Sequence, residues 1–244
     1  MKNIIEEDDY YFTKEDFDIF EKSLQTSKDI NLNKQRKEVQ DKLLHLNPKI
    51  ISKLNGKKLF NHYNSKNITS LPYCHPRNNF RVNWIGLRYG QDPKVIKDMN
   101  AGNLPEDDGY SFLQFACIQV SVVYEGLQIA LFHSIPQNSF DRGYLHDHID
   151  DSNFADNLVN IIDDLKGLGL YWDCNGTIYE FDKHDNSYDF IDWYKKEDEY
   201  GTYSICAINI PRWDIRLLQE NLLDSIMFYI DKLYYLLEVI RWKI

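Results

Sequence analysis

Residues 42–91 hold Lys42, Lys49, Lys53, Lys57, Lys58, Lys66, Arg77, Arg81 and Arg88 and no aspartate or glutamate. The formal charge of the whole chain is -10, so everything outside this block carries -19. Nine cations without an acid produce a local positive field on an acidic body, and an anion is the ligand such a field selects. Tyr63, Tyr73, Phe80, Trp84 and Tyr89 are interleaved with the cations. Aromatic faces beside guanidinium and ammonium groups are what single strands and nucleotides use, with bases stacking while phosphates pair with charge. His45, His62 and His75 add positive charge below about pH 6.5. Within the block, residues 74–81 read as a loop on which His75, Arg77, Asn78 and Arg81 converge. The competing explanation is a solvated basic face that balances the acidic ends of the chain by internal pairing. Trp84 and Phe80 are then expected to belong to the core side of a strand.

A second constellation is His146-Asp147-His148 with Asp150 and Asp151, five groups able to ligate a divalent metal or move a proton. The pattern places the histidines in a loop ahead of a helix, where nothing makes them converge, so a solvated acidic loop is the simpler reading and no metal ligand is assigned. Arg142 and His148 have a spacing loosely like that of an Arg–His pair in some helical RNases, too short a pattern to carry an argument. Asp173, Glu180 and Lys183 nearly reproduce the acidic hairpin of metal-dependent nucleases, but the lysine is one residue too far. No phosphate-cradling P-loop, dinucleotide-binding glycine motif or serine elbow occurs.

The elements that must position these groups follow from periodicity and punctuation. Thr13 to Asp16 form a capping-box variant opening a helix over 14–25 that buries Phe17, Phe20 and Leu24. A second helix is expected over 32–54, stopped by Asn55-Gly56, followed by irregular chain over 57–80 with an ordered piece at 59–63. Residues 81–89 suit a half-buried strand, and 90–110 read as a loop. Strands over 111–123 and 127–134 form a hairpin about Tyr124-Glu125-Gly126. A helix capped by Ser152 runs to Lys166, and strands at 170–174 and 177–181 flank the hairpin signal Asn175-Gly176. A short helix at 187–196, a strand at 203–210 closed by Pro211, and a long helix over 215–241 complete the chain. Leu218, Leu222, Ile226, Tyr229, Ile230, Leu233, Leu237 and Ile240 lie on one stripe of that last helix. The expected class is α+β, a largely antiparallel mixed sheet with N-terminal helices and a long C-terminal amphipathic helix packed on it. One domain over 1–244 is expected, helical over 1–56 and sheet-containing over 57–244.

Hydrophobic residues make up 43% and aromatics 14% of the chain, enough to bury a core. Cys74, Cys117, Cys174 and Cys206 are too scattered for a zinc knuckle or a dithiol motif. The first residues turn acidic without an apolar run, so a cytoplasmic protein with no membrane role is expected.

Several short segments, taken in order, resemble the YktB-like family of uncharacterised bacterial proteins. They are Phe12-Thr13-Lys14-Glu15-Asp16-Phe17, Leu54-Asn55-Gly56-Lys57-Lys58-Leu59-Phe60 leading to His62, the segment from His75 to Asn78, Asn83-Trp84-Ile85-Gly86-Leu87, Phe112-Leu113-Gln114 and Tyr171-Trp172-Asp173. The family's basic segment ends in an Arg-Arg pair and Asn-Pro-Pro, where this chain has His75-Pro76-Arg77-Asn78-Asn79. The resemblance implies a compact α+β fold and no activity.

The function these residues indicate is binding of a phosphate-rich ligand, nucleic acid or nucleotide. The groups assigned to it are Lys57, Lys58, Arg77, Arg81 and Arg88, with His75 and Asn78 as polar readers and no cofactor. One alternative is a metal-assisted nuclease or phosphodiesterase, in a host-defence setting, using His146, His148 and Asp147 with a divalent metal. Another is a protein-binding or self-associating subunit that presents Tyr234, Tyr235 and Trp242 of the last helix.

Overall fold

The computed structural model describes residues 5–61, 70–100, 112–133, 135 and 139–242. Its centre is a seven-stranded antiparallel sheet of strands β1 (Phe60–Asn61), β2 (Trp84–Gly90), β3 (Cys117–Val123), β4 (Gly126–His133), β5 (Tyr171–Cys174), β6 (Thr177–Glu180) and β7 (Ser204–Pro211). They lie in the order β1-β2-β3-β4-β7-β5-β6. Helices α1 (Lys14–Asp18), α2 (Ile30–Lys53), α3 (Pro93–Asn100), α4 (Phe140–His148), α5 (Ser152–Leu165), α6 (Asp189–Glu197) and α7 (Leu222–Ile240) surround it. The α+β class and the packed C-terminal helix are as the pattern predicts. No described helix is long and apolar enough to cross a membrane.

Because side chains alternate along a strand, the register sorts the sheet into two unlike faces. Ile85, Leu87 and Tyr89 of β2, Ile118, Val120 and Val122 of β3, Leu127, Ile129 and Leu131 of β4, and Cys206, Ile208 and Ile210 of β7 join one continuous hydrophobic core. The α7 stripe and Val39, Leu43, Leu46 and Ile50 of α2 belong to the same core. Tyr89 fixes α2 on that face by donating to Asn47 Oδ1 at 2.8 Å. The other face carries Trp84, Arg88, Gln119, Ser121, Gln128, Ala130, Phe132, Ala207, Asn209 and Tyr171, and none of these belongs to that core.

Both hairpins form as their punctuation predicts. Asn175 and Gly176 take φ of 50° and 97°, the left-handed pair a tight turn needs. Gly126, at φ 151°, lies so close to β7 that a Cβ would sit 2.0 Å from the Ile210 carbonyl oxygen.

Four expectations are corrected. Helix α1 ends at Asp18 rather than 25, giving way to turns through Gln25. A helix, α3, replaces loop at Pro93–Asn100, while 101–111 lies outside the described residues. Asp151, not Ser152, caps α5 by accepting from the Phe154 amide at 2.9 Å. The histidines expected in a loop instead lie on α4, a nine-residue helix.

Candidate anion-binding surface

The basic block does not form one patch. Lys42 pairs with Asp16, Lys53 with Asp224 at 2.6 Å and Lys57 with Asp231 at 2.9 Å. Internal pairing therefore accounts for three of the nine cations, two of them against acidic residues of α7. Lys66 and His62 lie outside the described residues. Lys58 borders a cleft of about 530 Å³ together with Arg241, but Asp92 and Glu238 line it too, so its charge is balanced.

Residues 73–81 form a tied loop. His75 Nδ1 accepts from the Arg77 amide at 3.1 Å, and Asn78 Oδ1 accepts from the His75 amide at 2.8 Å while its Nδ2 donates to the Tyr73 carbonyl at 2.9 Å. These three side-chain atoms of His75 and Asn78 shape the turn itself. Arg81 Nε donates to Gln25 Oε1 at 2.6 Å, and the Arg77 guanidinium bonds to no described residue. Phe80 is not a core residue, being 49% exposed. Asn79 and Phe80 occupy the left-handed region in succession, at φ of 51° and 54°; asparagine enters it readily, whereas for Phe80 it costs roughly 1–2 kcal/mol. Lys28 Nζ lies 5.5 Å from the Phe80 ring centre. The fold thus holds an aromatic ring in solvent, beside the Lys28 ammonium, against a backbone preference.

Four residues on, the chain enters β2 and reaches Arg88 on the second face of the sheet. Its Nε donates to Gln119 Oε1 at 2.9 Å. Its guanidinium lies 5.2 Å from the Trp84 ring centre and 5.0 Å from that of Phe132. Trp84 is thus a half-buried residue of the second face rather than of the core. Two rings and one hydrogen bond fix the plane of the guanidinium. Its remaining four N–H groups make no bond to a described residue. A planar fork held in advance suits bidentate binding of a phosphate or carboxylate.

The polar groups continue across the sheet. Gln119 Nε2 donates to Ser121 Oγ at 3.1 Å. Gln128 Nε2 donates to Asn209 Oδ1 at 3.1 Å, and Asn209 Nδ2 donates to the Tyr171 hydroxyl at 3.0 Å. Gln119, Gln128, Asn209 and Tyr171 were not among the residues the sequence singled out. The signal lay in the alternation Ile118-Gln119-Val120-Ser121-Val122 and Leu127-Gln128-Ile129, which marks a strand with one apolar and one polar face.

The second constellation resolves differently. His146 turns inward, its Nε2 at 2.8 Å from Asp198 Oδ2. His148 turns elsewhere, its Nδ1 at 2.9 Å from the Tyr144 carbonyl oxygen and its ring tilted against that of Tyr144. Asp147 is exposed, and no group of three metal-ligating residues occurs among the described residues. Asp198 instead receives Arg142 Nε and Nη2 at 2.7 and 2.8 Å, the Tyr194 hydroxyl at 2.9 Å and Cys174 Sγ at 3.4 Å. Arg142 and Asp198 are both fully buried side chains. Burial acts to raise the Asp198 carboxyl, but the hydrogen bonds from His146 and Arg142 and the Arg142 charge outweigh it and hold the group below the usual carboxylate range. Arg142 also donates to the Thr202 and Glu199 carbonyls. The cluster clamps the turn after α6 onto α4, and its donors and acceptors are spent on one another. Beside it, burial pushes the His133 imidazole down to about 3, and His133 Nε2 has no hydrogen-bond partner.

No family model matches the chain and no curated protein matches its sequence. The likeness to the YktB-like family rests on the quoted segments alone.

Proposed function

We propose that this protein binds a phosphate-bearing ligand, a nucleotide or single-stranded nucleic acid. Arg88 is the anion fork, and Arg77 and Arg81 are flanking cations. The observation that supports this most is the Arg88 guanidinium, oriented by Trp84, Phe132 and Gln119 with four N–H groups free of described partners. Restricting a long side chain before the ligand arrives lowers the entropy cost of binding. The exposed Phe80 ring beside the Lys28 ammonium adds a stacking face, and Arg77 and Arg81 of the same loop add positive charge. Lys57, engaged with Asp231, and Lys58, in its charge-balanced cleft, are peripheral to this reading.

The test is titration of fluorescent single-stranded oligonucleotides across a salt series with wild type, Arg88→Lys and an Arg77→Ala, Arg81→Ala variant. The wild type is expected to bind with an affinity that falls as salt rises. Arg88→Lys keeps the charge but loses the fork, and is expected to weaken binding about tenfold or more with little change of salt slope. The double variant is expected to lower the salt slope by up to about two charges. Absence of binding at low salt, or an Arg88→Lys protein that binds like wild type, overturns the proposal.

A further inference from the structure

We propose that the cleft walled by α4, α5 and α7 binds a small organic cation, an alkylated ammonium ion, at a site separate from the anion fork. The stripe of α7 belongs to the core on one face of the sheet, whereas Arg88 lies on the other face. The two sites are therefore independent of each other.

Helical spacing builds the walls. Tyr144 and His148 stand one turn apart on α4, Phe154 and Ile161 two turns apart on α5, and Tyr235 and Val239 one turn apart on α7, so each pair lies on one side of its helix. The cleft they line has a volume of about 550 Å³, within the range of small-molecule sites, about 300–1,000 Å³. Three of its rings hold one another in place. Ring centres are 4.1 Å apart for Tyr144 and His148, 5.8 Å for Tyr144 and Phe154, and 5.9 Å for His148 and Phe154. The Tyr235 side chain, 61% exposed, adds a fourth ring from α7. Aromatic faces attract cations, and clustered rings are how quaternary ammonium ions are recognised.

Carboxylates in the same lining set the sign of the charge. Asp151 uses Oδ1 to accept from the Phe154 amide, and Glu238 uses Oε1 to accept from Arg241 at 3.0 Å. Each keeps a second oxygen without a described partner. Among the described residues, no lysine or arginine lines the cleft, and the chain as a whole carries -10, so a cation is drawn in and an anion repelled. Ile161 and Val239 supply apolar surface that suits alkyl groups and not a hydrated metal ion. An alkylated ammonium ion meets all three features, with its charge near the carboxylates, its cationic surface against the rings and its methyl groups on the aliphatic side chains.

The experiment titrates the full chain with choline and with 3,3-dimethylbutanol, which has the same shape without the charge, at about pH 8, where an ordinary imidazole is neutral. Calorimetry gives the affinity, and the choline N-methyl proton resonance reports whether the ion sits against aromatic rings. Wild type is compared with Tyr235→Leu, at an exposed position, and with Asp151→Asn, which removes the charge but retains an oxygen to cap α5. Both variants are checked for a native-like melting transition. Choline is expected to bind at millimolar concentration or below, with its methyl resonance moved upfield, and about tenfold or more tighter than the alcohol. Each substitution is expected to weaken choline binding by about threefold or more. Choline that does not bind, an alcohol that binds as tightly, a methyl resonance that does not move, or either variant keeping wild-type affinity overturns the proposal. None of these outcomes bears on the binding of phosphate at Arg88.

Discussion

Replacing His133 with glutamine separates two opposed titrations buried in this fold. The His133 imidazole is fully buried, with Nδ1 3.3 Å from the Tyr194 hydroxyl and Nε2 without a partner. Burial depresses the imidazole to about 3, against about 6.5 in the unfolded chain. As pH falls from 7 to 5 the unfolded state takes up a proton that the native state refuses, so the native state loses about 2 kcal/mol from this residue. Asp141 opposes the loss. Burial raises its carboxyl to about 6, despite hydrogen bonds from the Ala116 and Trp242 amides. In this interval the native state takes up that proton first and gains about 1 kcal/mol. The wild-type stability curve is consequently shallow between pH 7 and 5. His133→Gln removes only the first term, so its deficit relative to wild type shrinks by about 2 kcal/mol on going from pH 7 to pH 5. Urea unfolding at the two pH values measures this as a relative midpoint change of roughly 0.7 M, for a slope near 3 kcal/mol per M. A deficit that is the same at both pH values refutes the argument that His133 is held neutral by burial.

Asp198→Ala leaves the Arg142 guanidinium buried without its counter-charge, and the expected loss is about 3–5 kcal/mol of stability, measured as a lowered urea midpoint at pH 7. Phe80→Gly relieves a left-handed backbone at an exposed position, so stability is expected to stay level or rise by up to about 1 kcal/mol. Oligonucleotide affinity is expected to fall in the same variant, by about 1–3 kcal/mol for one lost stack. Thermal melting and the binding titration read the two effects separately, and a Phe80→Gly protein that is less stable but binds normally makes Phe80 a packing residue.

Local rules alone determined much of the framework. The α7 stripe, from Leu222 through Ile240, is buried along its length because a 3.6-residue period selects one face wherever the helix docks. Asn175-Gly176 turned as expected because the left-handed backbone is a property of those two residues. The nine cations at 42–91 were equally plain, but their partners were not. Asp16, Asp224 and Asp231 lie 26, 171 and 174 positions from the lysines they neutralise, and Coulomb attraction depends on separation in space, not along the chain. Arg142 found Asp198 across 56 positions for the same reason. The array on the second face was decided by strand order, since β7 inserts between β4 and β5 and so brings Asn209 between Gln128 and Tyr171. Alternation along a strand says which side chains share a face, and only the pairing of distant strands says which of them become neighbours.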